Sequence, residues 1–163
     1  MTTTSQHALI LDRVFVAPVA NIWRCWAESE LFSQWFLPAP WRVSDAKVDL
    51  RNGGELSCVM NGPNGERPEY TGVFLDVLRE KRIVHTNVFR QGWMPSGQAF
   101  MVVHINLEEA EGNKTHYVVE AMYWNAETKE EHEKKGLYTN WNKASDQMEA
   151  LAKSLTDSNP VSS

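Results

Sequence analysis

The chain has 163 residues, 42% of them hydrophobic and 23% charged, with a formal net charge of −5. That length and composition suit one globular domain with one core. No run approaches the roughly 20 apolar residues of a membrane helix, and no Lys/Arg cluster offers the basic face that nucleic-acid binding requires.

Residues 1–7 are polar and lack the basic and apolar regions of a secretion signal, so a cytoplasmic protein is expected. The tails, 1–7 and 156–163, are expected to be flexible, and residues 8–155 to form a single domain. Residues 8–16 are apolar and β-branched apart from Asp12 and Arg13 and read as a strand. Pro18 ends it and suits the first turn of a helix. Val19, Ile22, Trp23 and Trp26 then recur at i, i+3, i+4 and i+7, one helical face. A second short helix is predicted over 30–35, with Ser29 as N-cap and Leu31 and Trp35 on one side. Pro38 and Pro40 break it.

From Val43 to Tyr123 the pattern is β, with strands predicted over 43–50, 55–61, 70–78, 83–89, 99–108 and 115–123. Turn signals such as Asn52-Gly53-Gly54 and Glu111-Gly112-Asn113 separate them, and the short connections favour an antiparallel meander. Thr128 followed by Glu131 matches a capping box. Beyond it Leu137, Trp141, Ala144, Met148, Leu151 and Leu155 form one stripe, predicting a continuous helix of about 25 residues. The order β-α-α-β6-α makes the fold α+β: a curved sheet of about seven strands gripping one long C-terminal helix.

Several of these residues also carry a resemblance. Arg13-Val14-Phe15-Val16-Ala17-Pro18, Trp26, Trp35, Pro38, the run Asp49 to Gly54, Met60 to Gly65, Gly72 and Ile83 to Thr86 follow one another as in START-like helix-grip (SRPBCC) domains. The chain resembles in particular the bacterial branch related to the C-terminal domain of the heat-shock-protein-90 ATPase activator. The resemblance spans about residues 8 to 155; Asn140 stands where the family often has Gly. It implies the helix-grip fold, a stress-response association and varied ligands.

The chain holds seven tryptophans and only two cysteines, Cys25 and Cys58, both within apolar runs, which reads as buried thiols in a reducing compartment. No histidine pair has metal-ligand spacing, and neither a metal nor a cofactor is expected. Alternation along the strands points Leu56, Cys58 and Met60 to one face, and likewise Tyr70 and Phe74, Val103, Ile105 and Leu107, and Tyr117, Val119, Ala121 and Tyr123. Trp26, Trp35, Trp141 and Met148 face them from the helices. The expected function is binding of a small hydrophobic or aromatic molecule between sheet and helix. Its expected ligand set is Trp26, Trp35, Cys58, Met60, Tyr70, Phe74, Val103, Ile105, Tyr117, Val119, Trp141 and Met148.

The first alternative is an enzyme of cyclase or dehydratase type, with His85, His104, Glu120 and Tyr70 as acid–base candidates; His85 and His104 lie in neighbouring strands and would meet there with Glu120. The second, from the family's namesake, is a chaperone-interaction module. Arg51, two residues from Asp49 on a predicted strand, is a candidate anchor for a ligand carboxylate, and Gly72 a candidate gap for helix or ligand. Trp93 and Met94 beside Pro95 are candidate anchors for a homodimer.

Overall fold

In the computed structural model, residues 8–158 are described except 88, 91, 93, 96–100, 124, 125 and 135, with backbone alone at 90, 95, 132, 137, 138 and 156–158. The expectations for residues 1–7 and 159–163, for Trp93 and for the start of the 99–108 strand lie outside the described residues, whereas residues 156–158 close α4. Thirteen elements follow in order: β1 (Ala8–Phe15), α1 (Val19–Ala27), α2 (Ser29–Trp35), β2 (Arg42–Val48), β3 (Glu55–Asn61), β4 (Glu69–Leu78), β5 (Arg82–Thr86), β6 (Phe89–Arg90), β7 (Met94–Pro95), β8 (Met101–Ala110), β9 (Lys114–Tyr123), α3 (Ala126–Lys134) and α4 (Leu137–Ser158).

Seven strands form one antiparallel sheet in the order β1-β9-β8-β5-β4-β3-β2. The consecutive strands β1 and β2 therefore lie at opposite edges, and α1 and α2 carry the chain between them. Alternation sets the inner face: on β9, Thr115, Tyr117, Val119, Ala121 and Tyr123 are buried in step, and on β8 so are Met101, Val103, Ile105 and Leu107. Register shifts on β2 between Ser44 and Lys47 and on β4 between Phe74 and Asp76 interrupt the ladder. Such bulges raise local twist and bend the sheet.

The start of α1 is held by side-chain chemistry. Thr115 Oγ1, fully buried, donates to the Ala17 carbonyl at 2.8 Å. Pro18, in extended conformation, then caps α1, its carbonyl accepting the Asn21 and Ile22 amides. The stripe Val19, Ile22, Trp23 and Trp26 is buried as its spacing requires. Ser29 is the first residue of α2, and Glu28 occupies the N-cap position; the Ser29 hydroxyl instead accepts the Val48 amide at 3.3 Å and ties α2 to β2. On α4, Ala144, Met148 and Ala152 are buried, and the helix packs on α1, α2 and β1.

The C-terminal helix departs from expectation. Gly136, at φ 81°, divides it into α3 and α4. Its amide donates to the Glu133 carbonyl and its own carbonyl accepts the Asn140 amide, so it closes one helix and opens the next. Thr128 lies within α3 and does not occupy the N-cap position, because α3 already begins at Ala126. A short ribbon of β6 and β7 stands where the strand predicted over 83–89 was to end; β5 stops at Thr86. Among the described residues no helix is long and apolar enough to cross a membrane.

Candidate functional site: a cavity between sheet and helices

A cavity of about 330 Å³ lies between the inner face of the sheet and the helices. Its sheet wall consists of Leu11 of β1, Met60 of β3, Tyr70 of β4 and His85 of β5, continued by Met101, Val103 and Ile105 of β8 and Tyr117 and Val119 of β9. Trp26 and Trp35 close it from α1 and α2, and Phe36, Leu37 and Pro38 from the loop after α2. Asn140, Trp141, Ala144 and Ser145 of α4 form the remaining wall. Asn140 is exposed, and Leu37, Pro38, Met60 and Trp141 are partly so. These residues mark the mouth, whereas Ile105 and Tyr117, at 1% and 2% exposure, mark the deep end.

The aromatic rings of the helix-side wall are held both by packing against one another and by hydrogen bonds. Trp26 packs edge-on against Trp35 with centroids 5.0 Å apart, and Phe36 stacks on Phe32 at 4.4 Å. Such pairs contribute about 0.5–1.5 kcal/mol each beyond area burial. Both buried indole N–H groups have partners: Trp26 Nε1 donates to the Tyr117 hydroxyl at 3.2 Å, and Trp35 Nε1 to the Cys25 carbonyl at 2.8 Å. Gln147 of α4 secures the loop beside the mouth. Its amide nitrogen donates to the Trp35 and Leu37 carbonyls at 3.1 and 2.8 Å, and its oxygen accepts the Ala39 amide at 3.0 Å.

One polar pair stands in the sheet wall. The Tyr70 hydroxyl lies 3.5 Å from His85 Nδ1, and the His85 ring sits 5.7 Å from that of Trp26 and 6.3 Å from that of Phe74. Burial disfavours the imidazolium and, with repulsion from His104, lowers the His85 pKa to about 4. Burial likewise raises the Tyr70 and Tyr117 hydroxyls above their usual value. All three side chains are therefore neutral near pH 7.

Of the twelve residues expected to contact a ligand, Trp26, Trp35, Met60, Tyr70, Val103, Ile105, Tyr117, Val119 and Trp141 line this cavity. Cys58, Phe74 and Met148 are buried but belong to the packed core beside it. Leu11, Phe36 and Met101 were legible from alternation or adjacency yet not singled out; Leu37, Pro38, Asn140, Ala144 and Ser145 carry no periodic signal that separates them from core or surface.

The expected cluster of His85, His104 and Glu120 does not form. His85 pairs with Val103 and faces the cavity, whereas His104 pairs with Val84 and Glu120 on the opposite face. A one-residue step along a strand reverses the face. Arg51 is also elsewhere: it follows β2 in a bend, ion-paired with Asp49 at 2.8 Å. It borders an open outer groove of about 640 Å³ that Trp23 and Arg79 also line. Gly72 leaves room for neither helix nor ligand; a Cβ there would strike the Thr86 carbonyl of β5. Cys25 and Cys58 are free and buried, and burial pushes their thiols up to about 12 and about 11. Among the described residues no three His, Cys, Asp or Glu side chains are placed to hold a metal ion.

The sequence matches the family model described as activator of Hsp90 ATPase homolog 1-like protein over residues 16–153. The fold is similar to the crystal structure of NE0264 from Nitrosomonas europaea, at 34% identity and a TM-score of 0.90, covering 94% of this chain and 99% of that one. It is also similar to Ms6760 from Mycobacterium smegmatis, at 22% identity and a TM-score of 0.75, covering 91% and 95%. A Rhodobacter sphaeroides protein matches at 19% identity and a TM-score of 0.79, covering 94% and 97%. No curated protein is significantly similar in sequence. The last two likenesses bear on fold alone.

Proposed function

The chain belongs to the activator of Hsp90 ATPase homolog 1-like family, and from that premise we propose that it binds a small, largely apolar molecule in the cavity between its sheet and its helices. The observation that carries this reading is the cavity itself, about 330 Å³ and walled by aromatic and aliphatic side chains. Ligand sites usually begin near 300 Å³ and combine an apolar lining with a few placed polar groups. An apolar cavity of about 150 Å³ holds benzene, so this one has room for a two-ring molecule. Burying such a molecule removes its apolar surface from water, at about 25 cal/mol per Å².

Thermal unfolding in the presence of naphthalene or indole tests the reading. At a concentration tenfold above Kd, a ligand of the native state stabilises it by about 1.4 kcal/mol. In a domain of this size that raises Tm by roughly 3–6 °C. The variant Val103→Phe, which fills part of the cavity, should lose the shift. An unchanged Tm with every small aromatic, or an equal shift in the filled variant, would contradict the proposal.

A further inference from the structure

Resting on that reading, we infer that the cavity selects a neutral molecule whose apolar body carries a hydrogen-bond-accepting oxygen, held by His85 Nε2–H with Tyr70 setting the tautomer. The argument begins with unmet hydrogen bonds. His85 is 4% exposed, and its one described partner is Tyr70, at Nδ1. Nε2 therefore has no partner among the described residues, although buried polar atoms are nearly always paired. Where the Tyr70 hydroxyl donates to Nδ1, the neutral ring carries its hydrogen on Nε2. The imidazole then offers a donor in the wall of a cavity.

Two more groups point the same way. The Tyr117 oxygen accepts the Trp26 N–H, and its own hydrogen has no acceptor among the described residues. Ser145, 4% exposed on the α4 wall, has no described partner for its hydroxyl. Trp26 lies against both His85 and Tyr117, which places these donors around one indole at the inner end. Each of these groups carries a hydrogen that an accepting oxygen in the ligand would satisfy. Among the described residues no Asp, Glu, Lys or Arg lines the cavity, so a carboxylate would be buried there without a cationic partner.

Three matched probes separate the possibilities in NMR titrations at pH 7: 2-acetylnaphthalene, its methylene isostere 2-isopropenylnaphthalene, and 2-naphthoate. The ketone should bind about tenfold more tightly than the isostere, the worth of one buried hydrogen bond, and more than tenfold more tightly than the carboxylate. The His85 Nε2 resonance should shift with the ketone and not with the isostere. In His85→Leu the ketone should lose its advantage while the isostere keeps its affinity; Tyr70→Phe, a milder change, should reduce the advantage in part. Equal binding of ketone and isostere, or naphthoate binding at least as tightly as the ketone, would overturn the inference and leave the apolar cavity standing. Binding of none of the three would overturn the cavity reading as well.

Discussion

The Trp26 indole donates to the Tyr117 hydroxyl at 3.2 Å, joining α1 to β9 through a bond that is fully inside the molecule. The two side chains also form adjoining walls of the cavity. Tyr117→Phe removes the acceptor and leaves the indole N–H buried without a partner. The expected loss is about 1–3 kcal/mol of stability, read from urea midpoints. A loss no larger than about 0.3 kcal/mol would mean that the bond adds nothing net.

Arg13 fastens β1 to α4. Its guanidinium contacts Asp146 at 2.7 Å and Glu149 at 3.5 Å, donates to the Asn142 carbonyl at 3.0 Å and lies 5.2 Å from the centre of the Phe15 ring. Asp146 is mostly in water, so the pairing is partly screened. Arg13→Lys keeps the charge but loses the planar fork and should cost about 1 kcal/mol by chemical denaturation. An unchanged midpoint would show that charge alone suffices.

Much of this arrangement was legible in the sequence, and the exceptions share a cause. Alternation on β8 and β9 identified the inner face, because one side of that sheet is buried and the other is not. It could not give depth: Phe74 and Met148 have the right parity but are covered by neighbours. Nor could it give register, and His85 and His104 were expected together because a one-residue offset between strands is invisible in either strand alone. Gly136 went unread because the Thr128–Glu131 capping signal set the helix start ahead of it; the apolar stripe itself begins only at Leu137, after the break. The mouth loop Phe36 to Pro38 has no period and is held from a distance of more than 100 residues by Gln147.

That clamp yields a prediction about the mouth. Gln147→Ala leaves the Trp35 and Leu37 carbonyls and the Ala39 amide without their side-chain partner. Stability should fall by about 1–2 kcal/mol, and amide hydrogen exchange at Ala39 should accelerate relative to strands β8 and β9. Exchange at Ala39 that stays as slow as in the parent would remove Gln147 from this role.

Gly72 tests how tightly β4 meets β5. A Cβ there meets the Thr86 carbonyl, which is backbone and cannot swing aside. Gly72→Ala should destabilise by about 3 kcal/mol, the upper range for overpacking. A cost below about 1 kcal/mol would show that the strands part freely.

The neutral state of His85 has a signature in pH. Its folded pKa of about 4 lies below the unfolded value near 6.5. Between these values the unfolded chain binds the proton and the folded chain does not, so stability falls as pH drops from about 6.5 towards 4. The contribution of this group is about 3 kcal/mol and is fully present above pH 6.5. His85→Gln should flatten the profile in that window when urea midpoints are compared at each pH. Parallel profiles for the two proteins would contradict it.

The most direct test of cavity binding is a methyl NMR spectrum of the Met-, Ile- and Val-labelled protein titrated with naphthalene. Ring-current shifts should appear at the lining methyls Met60, Met101, Val103, Ile105 and Val119, and not at the exposed Ile10, Val14 and Met94. No shift at the solubility limit, or shifts confined to the exposed methyls, would contradict binding between sheet and helix.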